Sequence, residues 1–224
     1  ILNSEGKKLS KRDGVTSISD FKEMGYTSEA MANYMTLLGW SVPEGINERF
    51  KISEVSEVFS FEKVNKASAK FDWDKLNWLN SQVIHEMAPK TLLDNLEPLF
   101  RENGWKLPSQ EWGRDLAKLL GPSMVLINDG VEQAKPFFEE PKLNLDGKKQ
   151  LEIKEANEIL KFILENLKNL DSSFLSEEQA RNLLNQATKQ CEVKKGLVMK
   201  SLRAALFGTL NGPDLIKSWV LLSR

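Results

Sequence analysis

Apolar residues recur at three- and four-residue spacing in segment after segment of this chain, and few stretches alternate apolar with polar. A chain patterned this way buries its core between helices, not inside sheets. Thr27-Ser28 caps a helix expected to run through Met31, Tyr34, Met35 and Leu38, with Gly39 as its left-handed stop. Asp72 caps Trp73 to Asn80, where Trp73, Leu76 and Leu79 share a face. Pro89 suits the first turn of a helix carrying Leu92, Leu93, Leu96, Leu99 and Phe100, closed by Gly104; Pro98 should kink or divide it. Another helix starts after Ser109, Gly121-Pro122 breaks it, and a further helical segment reaches Phe137-Phe138. Pro141 to Asn144 reads as a connection. Beyond it, Ala156, Ile159, Leu160, Ile163, Leu164, Leu167 and Leu170 form one stripe. Ser176-Glu177-Glu178-Gln179 is a capping box opening a helix with Ala180, Leu183, Leu184 and Ala187 inward. Gly196 is expected to break the chain before Leu197 to Phe207, and Gly212-Pro213 begins a last helix burying Leu215, Ile216, Trp219 and Val220. The fold class is mainly α, and with no repeat of constant period it is not a regular solenoid.

At 224 residues with 41% hydrophobic content, the chain has room for roughly one or two domains of about 100–200 residues and for a packed core. It holds no apolar run near the ~18–20 residues that span a bilayer, and Ile1 to Glu5 lacks the layout of a signal peptide, so the expected compartment is the cytoplasm. Cys191 is the single cysteine and His85 the single histidine, too few for a disulfide or a zinc site. His85 has no carboxylate or cysteine arrangement around it that marks a catalytic unit. Cys191 reads as a small, partly buried residue and not as a nucleophile, because no nearby base is in sight. The net charge of −1 gives no general pull on polyanions, so any RNA contact must come from local segregation of charge. Segregation is present. Lys189, Lys194, Lys195, Lys200 and Arg203 stand against Glu192 alone, while the stretch from Leu151 to Glu178 is acidic and reads as a solvated face.

Lys8-Leu9-Ser10-Lys11-Arg12, followed by Asp13-Gly14, places two lysines and a serine on one short loop. Lysine ammonium groups are compact, mobile charges suited to the β- and γ-phosphate oxygens of ATP, and they matter most when charge builds on leaving pyrophosphate. The chain has no Gly-x-Gly-x-x-Gly or Walker-type sequence with which to build another nucleotide site.

The pentapeptide resembles the KMSKS signature of class I aminoacyl-tRNA synthetases, in the form typical of the bacterial-type glutamyl-tRNA synthetase family. Similar stretches follow in the family's order: Gly25-Tyr26 with Glu29-Ala30, Asn33-Tyr34, Leu37 to Trp40, Phe71 to Asn80, and Leu202 to Leu206 with Gly208, Leu210 and Gly212-Pro213. The resemblance implies a C-terminal portion: residues 1–15 closing a catalytic domain with the ATP loop, 16–87 a helical connection and stem-contact domain, and 88–224 an all-helical anticodon-binding bundle with a possible subdivision near 142. The Rossmann-type catalytic domain would lie upstream and be missing, so this chain alone should not catalyse. The implied activity is ATP-dependent attachment of L-glutamate to tRNA(Glu), with ATP and Mg²⁺ held largely by the missing domain, in a monomer that touches no membrane. A non-catalytic tRNA-binding module or paralogue, or a ligase that also charges tRNA(Gln), remains an alternative.

By the same resemblance Lys11 contacts ATP, while Lys8 and Ser10 shape the closed loop and Arg12 adds supporting charge. Arg203 falls where the family's final helices read the anticodon: a guanidinium donates two parallel hydrogen bonds to a base edge or stacks on it. Lys194, Lys195 and Lys200 would supply charge to the RNA backbone nearby. Residues 16–87 should meet the inner side of the tRNA through phosphate and sugar, which positions without reading sequence. The Trp73/Trp78 segment admits base stacking, but core packing is the expected role.

Overall fold

A computed structural model describes residues 1–3, 6–8, 17–170 and 174–223. Among these the chain is helical. No strand forms, and extended pairing is confined to isolated bridges. The residues divide into two compact units, one of 1–99 with 121–130, the other of 100–120 with 131–224.

The first unit is built on α1 (Ile18–Met24), α2 (Ser28–Leu37), α3 (Ile52–Val55) and α4 (Trp73–Glu86), with most of α5 (Pro89–Glu102). Each start has a chemical cause. Ser17 and Asp20 form a capping box on α1, Thr27 accepts from Ala30 N–H at the head of α2, and Asp72 accepts from Lys75 N–H at the head of α4. Gly25 ends α1 at φ 98, and an added Cβ there would lie 2.8 Å from the backbone nitrogen of Asn128, so a side chain is excluded twice over. Gly39 is not the stop expected of it: Leu38 closes α2 in right-handed geometry, and Gly39 instead accepts the Asn65 N–H at 2.7 Å as the chain turns into extended backbone.

Helices α2 and α4 pack on each other around an aromatic core of Phe21, Tyr26, Tyr34 and Phe71, with Met31, Leu76 and Leu79. Tyr34 meets Phe71 edge-on at 5.0 Å, and half-buried Trp73 meets Phe71 at 4.8 Å. Most polar groups inside are paired, the Trp40 Nε1 and Arg49 Nε atoms excepted. The Tyr34 hydroxyl accepts the Asp72 N–H at 2.6 Å, Asn33 donates to Glu48 O and accepts from Phe50 N–H, and Asn80 joins Thr27 to Val125. Arg49 bridges Glu29 at 2.7 Å and Glu86 at 2.6 Å.

Helix α5 runs unbroken through Pro98, although proline supplies no N–H to the preceding turn. Leu93 and Leu96 before it and Phe100 after it are almost fully buried, and that packing outweighs one missing bond.

The second unit contains the end of α5, α6 (Gln110–Leu120), most of α7 (Asp129–Ala134), α8 (Leu145–Leu151), α9 (Lys154–Lys168), α10 (Glu177–Gln190), α11 (Lys195–Phe207) and α12 (Leu215–Leu222). Helix α11 lies at its centre, against α8, α9 and α10, while α12 packs on α10 and α6. Ile159, Ile163, Leu183, Leu184, Val198, Leu202, Phe207, Ile216 and Trp219 fill the space between. The apolar stripe of α9 is narrower than its spacing predicts, since Leu164 is 54% exposed. Likewise Val220 is half-buried, not fully enclosed. Ser176 and Gln179 form the expected capping box, and Asp214 caps α12. Gly196 does not interrupt the chain but sits in the first turn of α11, in open space. Gly208, at φ 70, terminates that helix; a Cβ there would lie 2.2 Å from the Lys142 carbonyl oxygen, so the connection after Pro141 and the helix end are fitted to each other.

Candidate nucleic-acid interface

Lys8 projects into solvent from a short extended ribbon in the first unit. Leu2 donates to the Ala69 carbonyl at 2.9 Å and accepts from Phe71 N–H at 2.8 Å, and it bridges Lys70 on one side and Lys8 on the other. Asn3 sets the return of the chain: its N–H donates to Lys7 O at 2.7 Å, and its side-chain oxygen accepts the Lys7 N–H at 2.9 Å. Lys8 is therefore tied through Leu2 to the segment that leads into Asp72, the cap of α4. Ser10 and Lys11, like Leu9 and Arg12 to Gly14, lie outside the described residues.

The remaining basic residues lie together in the second unit, at the start of α11 and along it. Lys194 is the N-cap residue, its side chain makes no capping bond, and Lys194, Lys195 and Lys200 are all exposed. Lysines at a helix N-terminus add to the positive end of the helix dipole. That is unfavourable by about 0.3–1 kcal/mol each for the fold and attractive to a phosphate. Arg203 lies three residues beyond Lys200, on the same side of the helix.

Arg203 is half-buried and already engaged. Its Nη2 donates to the Pro213 carbonyl at 2.8 Å, while Nη1 is shut off from solvent with no partner. Gly212 makes room for the guanidinium, since a Cβ there would stand 3.0 Å from Nη1. Burial pushes the guanidinium pKa down, opposed by the charge of Asp214. Offering both nitrogens to a base edge requires the 212–213 turn to open.

Other residues fall as their chemistry suggests. The described acidic residues between 151 and 178 are exposed. Half-buried Cys191 caps α10, its thiol pKa raised by burial and by Glu158. His85 is exposed near the end of α4. Trp78 departs from the expectation of core packing: it is 41% exposed, and the Lys75 ammonium sits 4.6 Å from its ring centre while also pairing with Glu48. The signal was in the sequence, because five residues along a helix carry Trp78 about 140° round from Trp73. A second feature went unread: Lys63, Lys66 and Lys70 occupy an exposed stretch with no acid after Glu62. Among the described residues no cluster of three or more His, Cys, Asp or Glu gathers to hold a metal, and no helix is long and apolar enough to cross a membrane.

Residues 91–224 match the family model of an anticodon binding domain, and residues 1–78 match that of the class I (E and Q) tRNA synthetase catalytic domain. The chain belongs to the family of class I tRNA synthetases that carry this anticodon-binding domain. Within it, the chain is 83% identical over all 224 residues to a glutamate–tRNA ligase of Prochlorococcus marinus, and 61% identical to one of a Synechococcus species. In both cases it spans 47% of the relative's length, about half. Among solved structures, a glutamate tRNA ligase from Elizabethkingia meningosepticum in complex with its amino acid aligns with 99% of this chain and 47% of its own, at a TM-score of 0.86 and 28% identity.

Proposed function

We propose that this chain works in the ATP-dependent attachment of L-glutamate to tRNA(Glu). The observation that carries the reading is the 83% identity, across the whole chain, to a protein named glutamate–tRNA ligase. In this reading the amino-acid carboxylate attacks the α-phosphate of ATP, giving glutamyl-adenylate and pyrophosphate, and the glutamyl group then passes to the terminal adenosine of the tRNA. Lys11 contacts ATP and neutralises charge on the departing pyrophosphate, while Lys8 and Ser10 shape the closed loop that carries it. The Leu2 ribbon supports this role for Lys8, since it fixes the loop's entry to the helical unit. Mg²⁺ comes with the same resemblance and would share the neutralisation of that charge with the lysine loop; among the described residues no cluster of three or more His, Cys, Asp or Glu gathers to hold it.

The second unit takes the anticodon. Lys194, Lys195 and Lys200 hold the RNA backbone, and Arg203 reads a base as the Gly212-Pro213 turn releases it. The cytoplasm and a monomeric state belong to the same reading. Aminoacylation by the full-length protein with purified tRNA(Glu) and tRNA(Gln) tests it. Glutamate should be charged onto tRNA(Glu) with ATP consumed. Binding of tRNA without charging makes the protein a tRNA-binding module, and equal charging of tRNA(Gln) makes it a ligase of broader range.

A further inference from the structure

A ladder of aromatic rings climbs out of the first unit. Trp40 at its foot is 4% exposed, Phe59 above it 40%, and Phe61 at the top 81%. Trp40 meets Phe59 at 5.5 Å, and Phe59 meets Phe61 at 5.3 Å with ring planes 80° apart. The foot is fixed: Trp40 bridges Val64 across extended backbone, and Asn65 donates to the Gly39 carbonyl at 2.7 Å. Phe61 opens a single 3₁₀ turn, Phe61–Lys63, whose following residue Val64 is thus tied back to Trp40. Its ring is held by a neighbour and lies open to solvent, with Val58 and Val64, 41% and 36% exposed, at the margin.

Charge along this stretch is divided by position: the exposed acids Glu54 and Glu57 come before the ladder's outer rings, and exposed lysines follow Phe61. Lys63, Lys66 and Lys70 are exposed and form no ion pair among the described residues. The one acid between 61 and 70, Glu62, is turned back onto the Ser60 hydroxyl and its own N–H, which hold its carboxyl below the usual range; Glu57 lies before the turn. Protein–protein interfaces are depleted of lysine at their cores, whereas interfaces with nucleic acid are rich in positive charge. An uncovered aromatic face among unpaired lysines is the combination that binds unstacked nucleotides, the ring receiving a base and the ammonium groups the adjoining phosphates.

We propose that Phe61 is a stacking platform for an unpaired base of the bound RNA, with Lys63, Lys66 and Lys70 receiving the flanking phosphates. The proposal rests on the tRNA reading above and adds a contact to it in the first unit, remote in sequence from α11. Stacking of this kind tolerates any base, so the site adds affinity and places the RNA without reading it.

The test is equilibrium binding of a tRNA(Glu) transcript to the chain and to Phe61→Ala, Phe61→Trp and a Lys63→Ala/Lys66→Ala double variant, over a series of salt concentrations. Phe61 is almost wholly solvent-exposed, so its variants keep the fold, which circular dichroism checks. Phe61→Ala should weaken binding by about 5- to 150-fold with an unchanged salt slope, and Phe61→Trp should stay within about twofold of the parent. The double variant should flatten the salt slope by about one to two. Equal affinity of Phe61→Ala and the parent overturns the proposal while leaving the tRNA reading intact. So does loss of self-association by Phe61→Ala with RNA binding unaffected, which makes the ladder a protein-docking face. Failure of the parent chain itself to bind the transcript removes the tRNA reading, and this proposal with it.

Discussion

Glu192 is the one described residue other than glycine at positive φ, 52°, and it is also the one acid among the lysines leading into α11. Left-handed backbone costs a residue with a Cβ about 1–2 kcal/mol, less for asparagine, whose short amide bonds locally. Glu192→Asn should therefore raise stability by about 0.5–1 kcal/mol in thermal melts and, by removing a negative charge, tighten tRNA binding at low salt. Arg203 gives a different balance. Its bond to Pro213 holds the turn before α12, so Arg203→Ala should destabilise the second unit by about 1–3 kcal/mol and leave the Pro213 carbonyl without its donor. If Arg203 also reads the anticodon, the variant loses discrimination among anticodon variants in a filter-binding series, whereas Lys195→Ala weakens every tRNA alike and flattens the salt dependence. Uniform loss across anticodons for Arg203→Ala leaves that side chain a purely structural role.

At the scale of helices, the contact between α2 and α4 turns on one amide. Asn80 Oδ1 accepts from both the N–H and the hydroxyl of Thr27, at 2.8 and 2.9 Å, and its Nδ2 donates to Val125 O at 2.6 Å. Asn80 is fully buried, so Asn80→Ala strands donors and an acceptor together and should cost about 2–4 kcal/mol, read as a fall in the denaturant midpoint with unchanged slope. Asn80→Asp keeps the acceptor, loses the donor and buries a charge, and should be no better. Neither the partners of Asn80 nor the pairing of Asn33 was legible in the sequence, because those bonds join residues 15 to 55 positions apart. What was legible was local: the caps at Thr27, Asp72, Ser109 and Ser176 each precede a helix where the side-chain chemistry places it. Helix α8 was missed for a physical reason. It buries Gly147 and Gln150, with Gln150 donating to Ser201 at 3.0 Å, and leaves Leu145 78% exposed, so its inward face carries no apolar stripe. The candidate site divides in the same way. The lysines of α11 were readable as a run of charge, but the engagement of Arg203 with Pro213 and the exposure of Phe61 depend on tertiary placement.

At the scale of the molecule, each unit has its own core, and the groups that titrate at alkaline pH are unevenly shared between them. Both tyrosines of the chain, Tyr26 and Tyr34, belong to the first unit. Burial raises both pKa values above 10.0, with the Asp129 carboxylate adding to the effect at Tyr26; at Tyr34 the Asp72 N–H opposes it. A raised phenol pKa means that the folded chain keeps a proton the unfolded chain releases. Each tyrosine's contribution is therefore complete below pH 10.0 and is lost as pH climbs through and beyond that value. The second unit carries one comparable group, the Cys191 thiol, raised above 9.0, whose contribution fades with rising pH in the same sense and from a lower starting point. Cys191→Ser removes it. In that variant, calorimetry from neutral pH to about one unit beyond the usual tyrosine pKa of ~10 should show the first unit's transition moving to lower temperature well ahead of the second's. Tyrosinate absorbance should appear together with the first transition and not before it. Adding Tyr26→Phe, which gives up only the hydroxyl's 2.5 Å bond to Asn77, should narrow the separation. Transitions that shift in step, or tyrosinate that forms while the first unit is still folded, would show that these hydroxyls are not enclosed as the core of α2 and α4 requires.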